Sequence, residues 1–121
     1  MNEAALREAL ADLAAELQQF ARARDWEQFH GPKNLAMSLA IEAAEVMEHF
    51  QWVEAPDAPE LTPDKRQAVG LELADVMIYL LRLATVLDID LTAALRAKIA
   101  INEQRYPVEK SRGRSTKYDE L

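Results

Sequence analysis

The sequence predicts an all-α protein, one four-helix bundle domain spanning residues 1–121. Three observations predict it. Ala, Leu and Glu are abundant, while glycine occurs three times and aromatic residues make up 7% of the chain; that composition favours helix over sheet. Apolar residues recur three and four apart through four long segments. Residues that start and stop helices stand at the ends of those segments rather than inside them.

The first segment opens at Asn2, a side chain suited to capping, and carries Leu6, Leu10, Leu13, Leu17 and Phe20 as one stripe to about Arg24. Asp25-Trp26-Glu27-Gln28-Phe29-His30-Gly31-Pro32 breaks the period, and Gly31-Pro32 signals a loop. A second helix is expected from Lys33 or Asn34 to about Trp52. Residues 55–59, with two prolines, read as a loop. Thr62-Pro63-Asp64 supplies a cap, a proline at the first helical position and an early acid for a third helix, to about Leu87. Asp90 caps a fourth helix to about Gln104, and Tyr106-Pro107 ends it. The remainder, 106–121, reads as an irregular basic tail.

Charge and composition narrow the function. The net charge of −7 argues against a nucleic-acid polymer as partner. The charge is uneven: residues 1–95 hold seven basic against seventeen acidic side chains, residues 96–121 seven against four. There is no cysteine, hence no disulfide and no thiolate metal site. No apolar run has the length of a membrane span and no leader pattern opens the chain, so the expected residence is the cytoplasm with no membrane partner. Helices two and three are apolar nearly all round, more than one bundle can hide, and a homo-oligomer, dimer or tetramer, is expected.

Against that apolar background stand two carboxylate pairs, Glu42-Ala43-Ala44-Glu45 and Glu72-Leu73-Ala74-Asp75. Positions three apart share a helix face, so each pair projects two acids in one direction. Burying unpaired carboxylates is costly and like charges raise each other's pKa. Four together call for a cation, and with no Cys and two His the donor set fits hard Mg²⁺, with Mn²⁺ as a substitute. Ser38, His49 and Trp52 extend the face of helix two, and Tyr79 and Arg82 that of helix three. Lys98, Asn102 and Arg105 share a face of helix four. Convergence of the three faces would supply carboxylates for a metal, cations for phosphates and flat rings for a base, which are the needs of triphosphate hydrolysis. A di-iron bundle is excluded, because Glu45 and Asp75 stand where its Glu-x-x-His motifs need histidine. Two other readings remain: a broad dNTP or dUTP pyrophosphatase, and a non-catalytic helical oligomerisation module with a structural ion.

Glu42-x-x-Glu45, a 26-residue spacer, then Glu72-x-x-Asp75 is similar to the signature of the MazG-like all-α nucleoside triphosphate pyrophosphohydrolases. The flanking text, Arg24 to His30, Phe50-Gln51-Trp52, Asp75 to Leu80, Asn102 to Pro107 and Ser111-Arg112-Gly113, resembles the dCTP pyrophosphatase branch. The resemblance covers roughly residues 20–118. It implies a nucleotide diphosphatase that cleaves between the α and β phosphates of dCTP or a 5-modified form, releasing a monophosphate and pyrophosphate and so cleansing the nucleotide pool. It implies Mg²⁺ held by Glu42, Glu45, Glu72 and Asp75. Of these acids, Glu45 is the candidate that we expect to polarise the attacking water. It implies a base pocket from Trp26, His30, Trp52 and Tyr79, with Lys98, Asn102 and Arg105 near the phosphates or sugar. It also implies dimers, or tetramers of two tight dimers, whose sites are completed across the interface.

Overall fold

The computed structural model describes residues 2–55 and 58–121. Of the expected 55–59 loop, Pro56 and Asp57 lie outside the described residues. The chain is all-α, as expected, with four long helices and no strand among the described residues: α1 (Glu3–Ala23), α2 (Pro32–Phe50), α3 (Pro63–Val86) and α4 (Leu91–Arg105), followed by one further turn, α5 (Val108–Ser111). No helix among the described residues is long and apolar enough to cross a membrane.

The starts follow local chemistry. Asn2, Thr62 and Asp90 each accept, through a side-chain oxygen, the backbone N–H three residues on, at 2.7, 3.2 and 3.0 Å. These caps satisfy one of the orphan donors that open α1, α3 and α4. Helix α2 begins one residue before the expected Lys33, because Pro32 itself occupies the first turn behind Gly31. Proline is pre-set for that place and lacks only an N–H that would go unpaired there.

Two compact units divide the chain. In the first, through Asp88, α2 packs against α3 along its length and α1 packs on α3. Leu35, Ala21, Leu81 and Ala84 are the buried apolar side chains of the described chain. Helix α1 ends on a left-handed residue, Asp25, at φ 54°. Its N–H reaches the Arg22 carbonyl at 3.0 Å and the Trp26 N–H reaches Ala21 at 2.9 Å, the two crossed bonds of a Schellman ending. Asp25 tolerates a conformation usually left to glycine because both its carboxylate and its carbonyl accept from Gln28 Nε2 at 3.0 Å. The turn folds Trp26 back on α1, edge-on to Phe20 at 5.8 Å between ring centres. A single 3₁₀ turn, Glu27–Phe29, then carries the chain to His30, and Asn34 ties it to α2 by donating to the Phe29 carbonyl at 3.1 Å.

In the second unit, Ile89–Leu121, the tail is not wholly irregular. Pro107 opens the turn at Val108–Ser111, and a 3₁₀ turn follows at Tyr118–Glu120. Tyr118 anchors it, edge-on to Tyr106 at 6.1 Å and beneath the Arg105 guanidinium at 4.3 Å. Proline punctuation and an Arg–aromatic stack give this polar stretch an order that hydrophobic periodicity does not register.

Candidate active site

The antiparallel run of α2 beside α3 decides where the acids go. Glu42 and Glu45 on α2 and Glu72 on α3 each bring a carboxylate oxygen to one place, all within 4.8 Å of one another. All three are half-buried. Asp75, one turn beyond Glu72, is not among the three that converge, yet its charge contributes to raising both Glu42 and Glu72. Desolvation pushes the Glu42 pKa up to about 7, aided by a hydrogen bond with Glu45 and by the charges of Glu45, Asp75 and Glu72. Glu72 is raised first by its hydrogen bond with Glu45, then by desolvation and the charges of Glu45 and Asp75, while His49 opposes the shift. Glu45 is thus the link between the two helices. His49 Nε2 sits 3.8 Å from Glu72 Oε1, so this histidine partners the acid of the facing helix rather than Glu45 on its own.

The residues fit a hard divalent cation. One oxygen of Glu42 and one of Glu72 are buried with no hydrogen-bond partner, and such orphans carry a desolvation cost that a cation removes. Two oxygens on one Mg²⁺ stand at most about 4.2 Å apart, and around Ca²⁺ about 5 Å. Oxygens at neighbouring positions on Mg²⁺ stand about 3 Å apart, so three that already lie within 4.8 Å of one another reach an ion by side-chain rotation.

The raised acids set a pH dependence. Glu42 titrates near 7 in the fold against 4.5 ordinarily, so the folded state holds this proton more tightly than the unfolded state. Its contribution to stability is fully present below about pH 4.5 and is lost as pH rises through about 7. The expected result is a melting temperature that falls between about pH 5 and pH 8 in protein stripped of metal by a chelator. Glu42→Gln should flatten that slope. Calorimetric melts across the range check it, and a flat wild-type profile would refute the coupling.

Beside the acids lies a cavity of about 220 Å³ in the first unit, lined by Leu17, Phe20, Ala21, Trp26, His30, Glu42, Asp75, Ile78, Tyr79 and Arg82. Besides Glu42 of α2, three parts of the chain build it. The Asp25 turn delivers Trp26 and His30, α1 delivers Phe20, and the acidic face of α3 continues through Asp75 and Tyr79 to Arg82. Trp26 and His30 approach at 6.4 Å between ring centres. Glu42 and Asp75 belong to both the acidic cluster and this cavity.

The expected site residues thus separate into groups. Glu42, Glu45, Glu72, Asp75, Trp26, His30 and Tyr79 fall together in the first unit. Trp52 lies just past the end of α2, 81% exposed, and does not line the cavity. Lys98, Asn102 and Arg105 are exposed on α4 in the second unit. Arg82 and Phe20 line the cavity although the sequence reading gave them only a place on a helix face. The signal for Arg82 was present, since it continues the spacing Glu72, Asp75, Tyr79; for Phe20 there was none beyond the stripe of α1.

The MazG-like family model matches residues 37–121. The chain is 47% identical over 105 residues to dCTP pyrophosphatase 1 of Rattus norvegicus and 45% identical over 105 residues to that of Homo sapiens. In both cases 85% of this chain is covered, and it spans 62% of the relative's length. Among solved structures, a pyrophosphatase from Archaeoglobus fulgidus superposes with a TM-score of 0.76 at 40% identity, covering 82% of this chain and 93% of that one. Both carboxylate pairs lie inside the matched span, and on that extent of agreement the chain belongs to the MazG-like family.

Proposed function

We propose that this protein is a Mg²⁺-dependent nucleoside triphosphate pyrophosphohydrolase that converts dCTP, or a modified form of it, to the monophosphate and pyrophosphate in the cytoplasm. The observation that carries the reading is three carboxylate oxygens within 4.8 Å at the edge of an aromatic cavity. The relatives named dCTP pyrophosphatase 1 support the substrate class.

Glu42, Glu45 and Glu72 would hold the ion, with Asp75 completing the set. Bound there, a divalent cation neutralises phosphate charge and lowers the pKa of a water it holds. Glu45, hydrogen-bonded to the other two, would take the proton of the attacking water as oxygen adds to the α-phosphorus. The bond from that phosphorus to the bridging oxygen breaks, and pyrophosphate leaves with the electron pair. His49 keeps Glu72 oriented from the opposite helix. Trp26 and Tyr79 flank the base, where a stack contributes about 1–3 kcal/mol. Lys98, Asn102 and Arg105 would meet the phosphates or sugar, and Trp52 would complete the base pocket of a second copy in a dimer or tetramer.

The test is a panel of the common nucleoside triphosphates with Mg²⁺, scored for pyrophosphate against inorganic phosphate. The expected result is pyrophosphate and dCMP from dCTP, with little phosphate. Thermal stabilisation by Mg²⁺ without product from any nucleotide would leave a structural ion in an oligomerising module. Equal turnover of all dNTPs would leave the enzyme and remove its specificity.

A further inference from the structure

The most unusual side chain of the cavity is Arg82. It is only 4% exposed, the most deeply buried charge among the described residues. Its Nε donates to His30 Nδ1 at 3.3 Å, while Nη1 is buried and has no hydrogen-bond partner. No carboxylate among the described residues forms an ion pair with it. A buried guanidinium left so is expensive, and such a group is retained where something else completes it.

We propose that Arg82 is the residue that reads the base, donating from Nη1 to the acceptor edge of a cytosine seated between the aromatic walls, with His30 as its positioning partner. This rests on the pyrophosphohydrolase reading above. The cavity, about 220 Å³, is smaller than the roughly 300–1,000 Å³ that takes a whole ligand, so it suits the flat part of a nucleotide rather than its triphosphate. A phosphate would need several side chains converging on it, and the single orphaned Nη1 of Arg82 beside the aromatic rings matches a neutral carbonyl or ring nitrogen instead.

The chemistry also selects among bases. His30 Nδ1 accepts from Arg82, so in the neutral ring the proton sits on Nε2, a donor. Burial, followed by the adjacent Arg82 charge, lowers the His30 pKa and keeps the ring neutral, against the pull of Glu27. The pair therefore presents donors and no acceptor. Cytosine offers two adjacent acceptors, O2 and N3. Uracil and thymine place an N3–H there, which would face a donor, and a mismatch of that kind is what a polar site rejects most strongly. The acceptors in the same cavity, Glu42 and Asp75, stand at its metal-binding side.

The experiment compares wild type, Arg82→Met and Arg82→Lys. Pyrophosphate release from dCTP and dUTP is measured with Mg²⁺, and binding of dCMP and dUMP is followed by tryptophan fluorescence without metal. Arg82→Met should raise KM for dCTP on the order of 10- to 100-fold, leave dUTP little changed and collapse the ratio between them. Arg82→Lys, which keeps a charge but not the fork, should fall between. Replacing an orphaned buried cation by an apolar chain of similar length should not lower the melting temperature. If Arg82→Met does not fold, Arg82→Lys decides, and full discrimination in it overturns the proposal. Unchanged dCTP:dUTP selectivity and dCMP binding in Arg82→Met overturn it as well. If wild type releases no pyrophosphate, the enzymatic reading fails separately. Tighter binding of dCMP than dUMP, lost in Arg82→Met, then still supports Arg82 as the reader; equal binding in wild type or a preference for dUMP overturns it.

Discussion

Replacing Glu45 by Gln is expected to slow pyrophosphate release from dCTP by about 10²–10⁴-fold, the range typical of losing a positioned general base. The substitution preserves shape and removes only charge and basicity. Glu45 is the acid whose hydrogen bonds raise both Glu42 and Glu72. Removing its charge in the absence of metal therefore relieves repulsion, and the stripped variant should melt no lower than wild type. With Mg²⁺ the order should reverse. A ligand that binds only the folded state stabilises by RT ln(1 + [L]/Kd), and a site short of one carboxylate binds the ion less tightly. The signature is thus a pair of opposite shifts: unchanged or raised melting temperature without metal, and a much smaller rise on adding Mg²⁺. Near-normal turnover of dCTP by Glu45→Gln would remove Glu45 from the reaction. A variant that merely unfolds would fail the melt without metal, so damage to the fold is separable from loss of the site.

Much of this architecture was legible before any coordinates. Helix starts were written in single residues: Asn2, Thr62 and Asp90 cap as their chemistry requires, because a cap depends on atoms three residues away. The meeting of Glu42, Glu45 and Glu72 was legible for a related reason. Two i, i+3 pairs in apolar helices have few places to hide except against each other. The parts that sequence did not disclose depend on contacts distant in the chain. Arg82 and His30 are 52 positions apart, and nothing in their local text says that one nitrogen will face the other. The left-handed Asp25 was equally silent, since its conformation is held by Gln28 and by two crossed bonds to α1 rather than by a glycine. His49 shows the limit from the other side. Its position on the acidic face was plain, but spacing on one helix could not choose between Glu45 beside it and Glu72 across from it.

Substituting Ile41 by Glu is expected to dissociate the proposed homo-oligomer and, with it, to remove most of the proposed activity. The described chain buries only Leu35, Ala21, Leu81 and Ala84 as apolar core. On α2, meanwhile, Met37 and Ile41 are each 56% exposed and Met47 71%; Met37 and Ile41 share one stripe, which borders Glu45, and Met47 lies on the side turned away from Glu42 and Glu45. On α3, Leu71 and Leu73 are exposed as well. A chain with so small a core among its described residues and so much apolar surface gains by covering that surface with another copy. Fully burying one such side chain contributes about 1.5–3 kcal/mol, and the same face is used twice in a two-fold dimer, so one substitution acts twice. A carboxylate placed there adds a desolvation cost to the lost contact. In sedimentation, wild type should run as a dimer or tetramer of 13.7 kDa chains, with a melting temperature that rises with protein concentration. Ile41→Glu should run as one chain and melt lower at every concentration, whereas Ile41→Ala, which trims the contact without adding charge, should weaken assembly less. The activity follows if Trp52, exposed at the end of α2, covers the base in a neighbouring copy: the monomeric variant should then show a raised KM for dCTP, while its Glu42, Glu45 and Glu72 still respond to Mg²⁺ in the melt. Wild type sedimenting as a single chain at working concentration would refute this account of the apolar faces and would leave Trp52 without a role in the site.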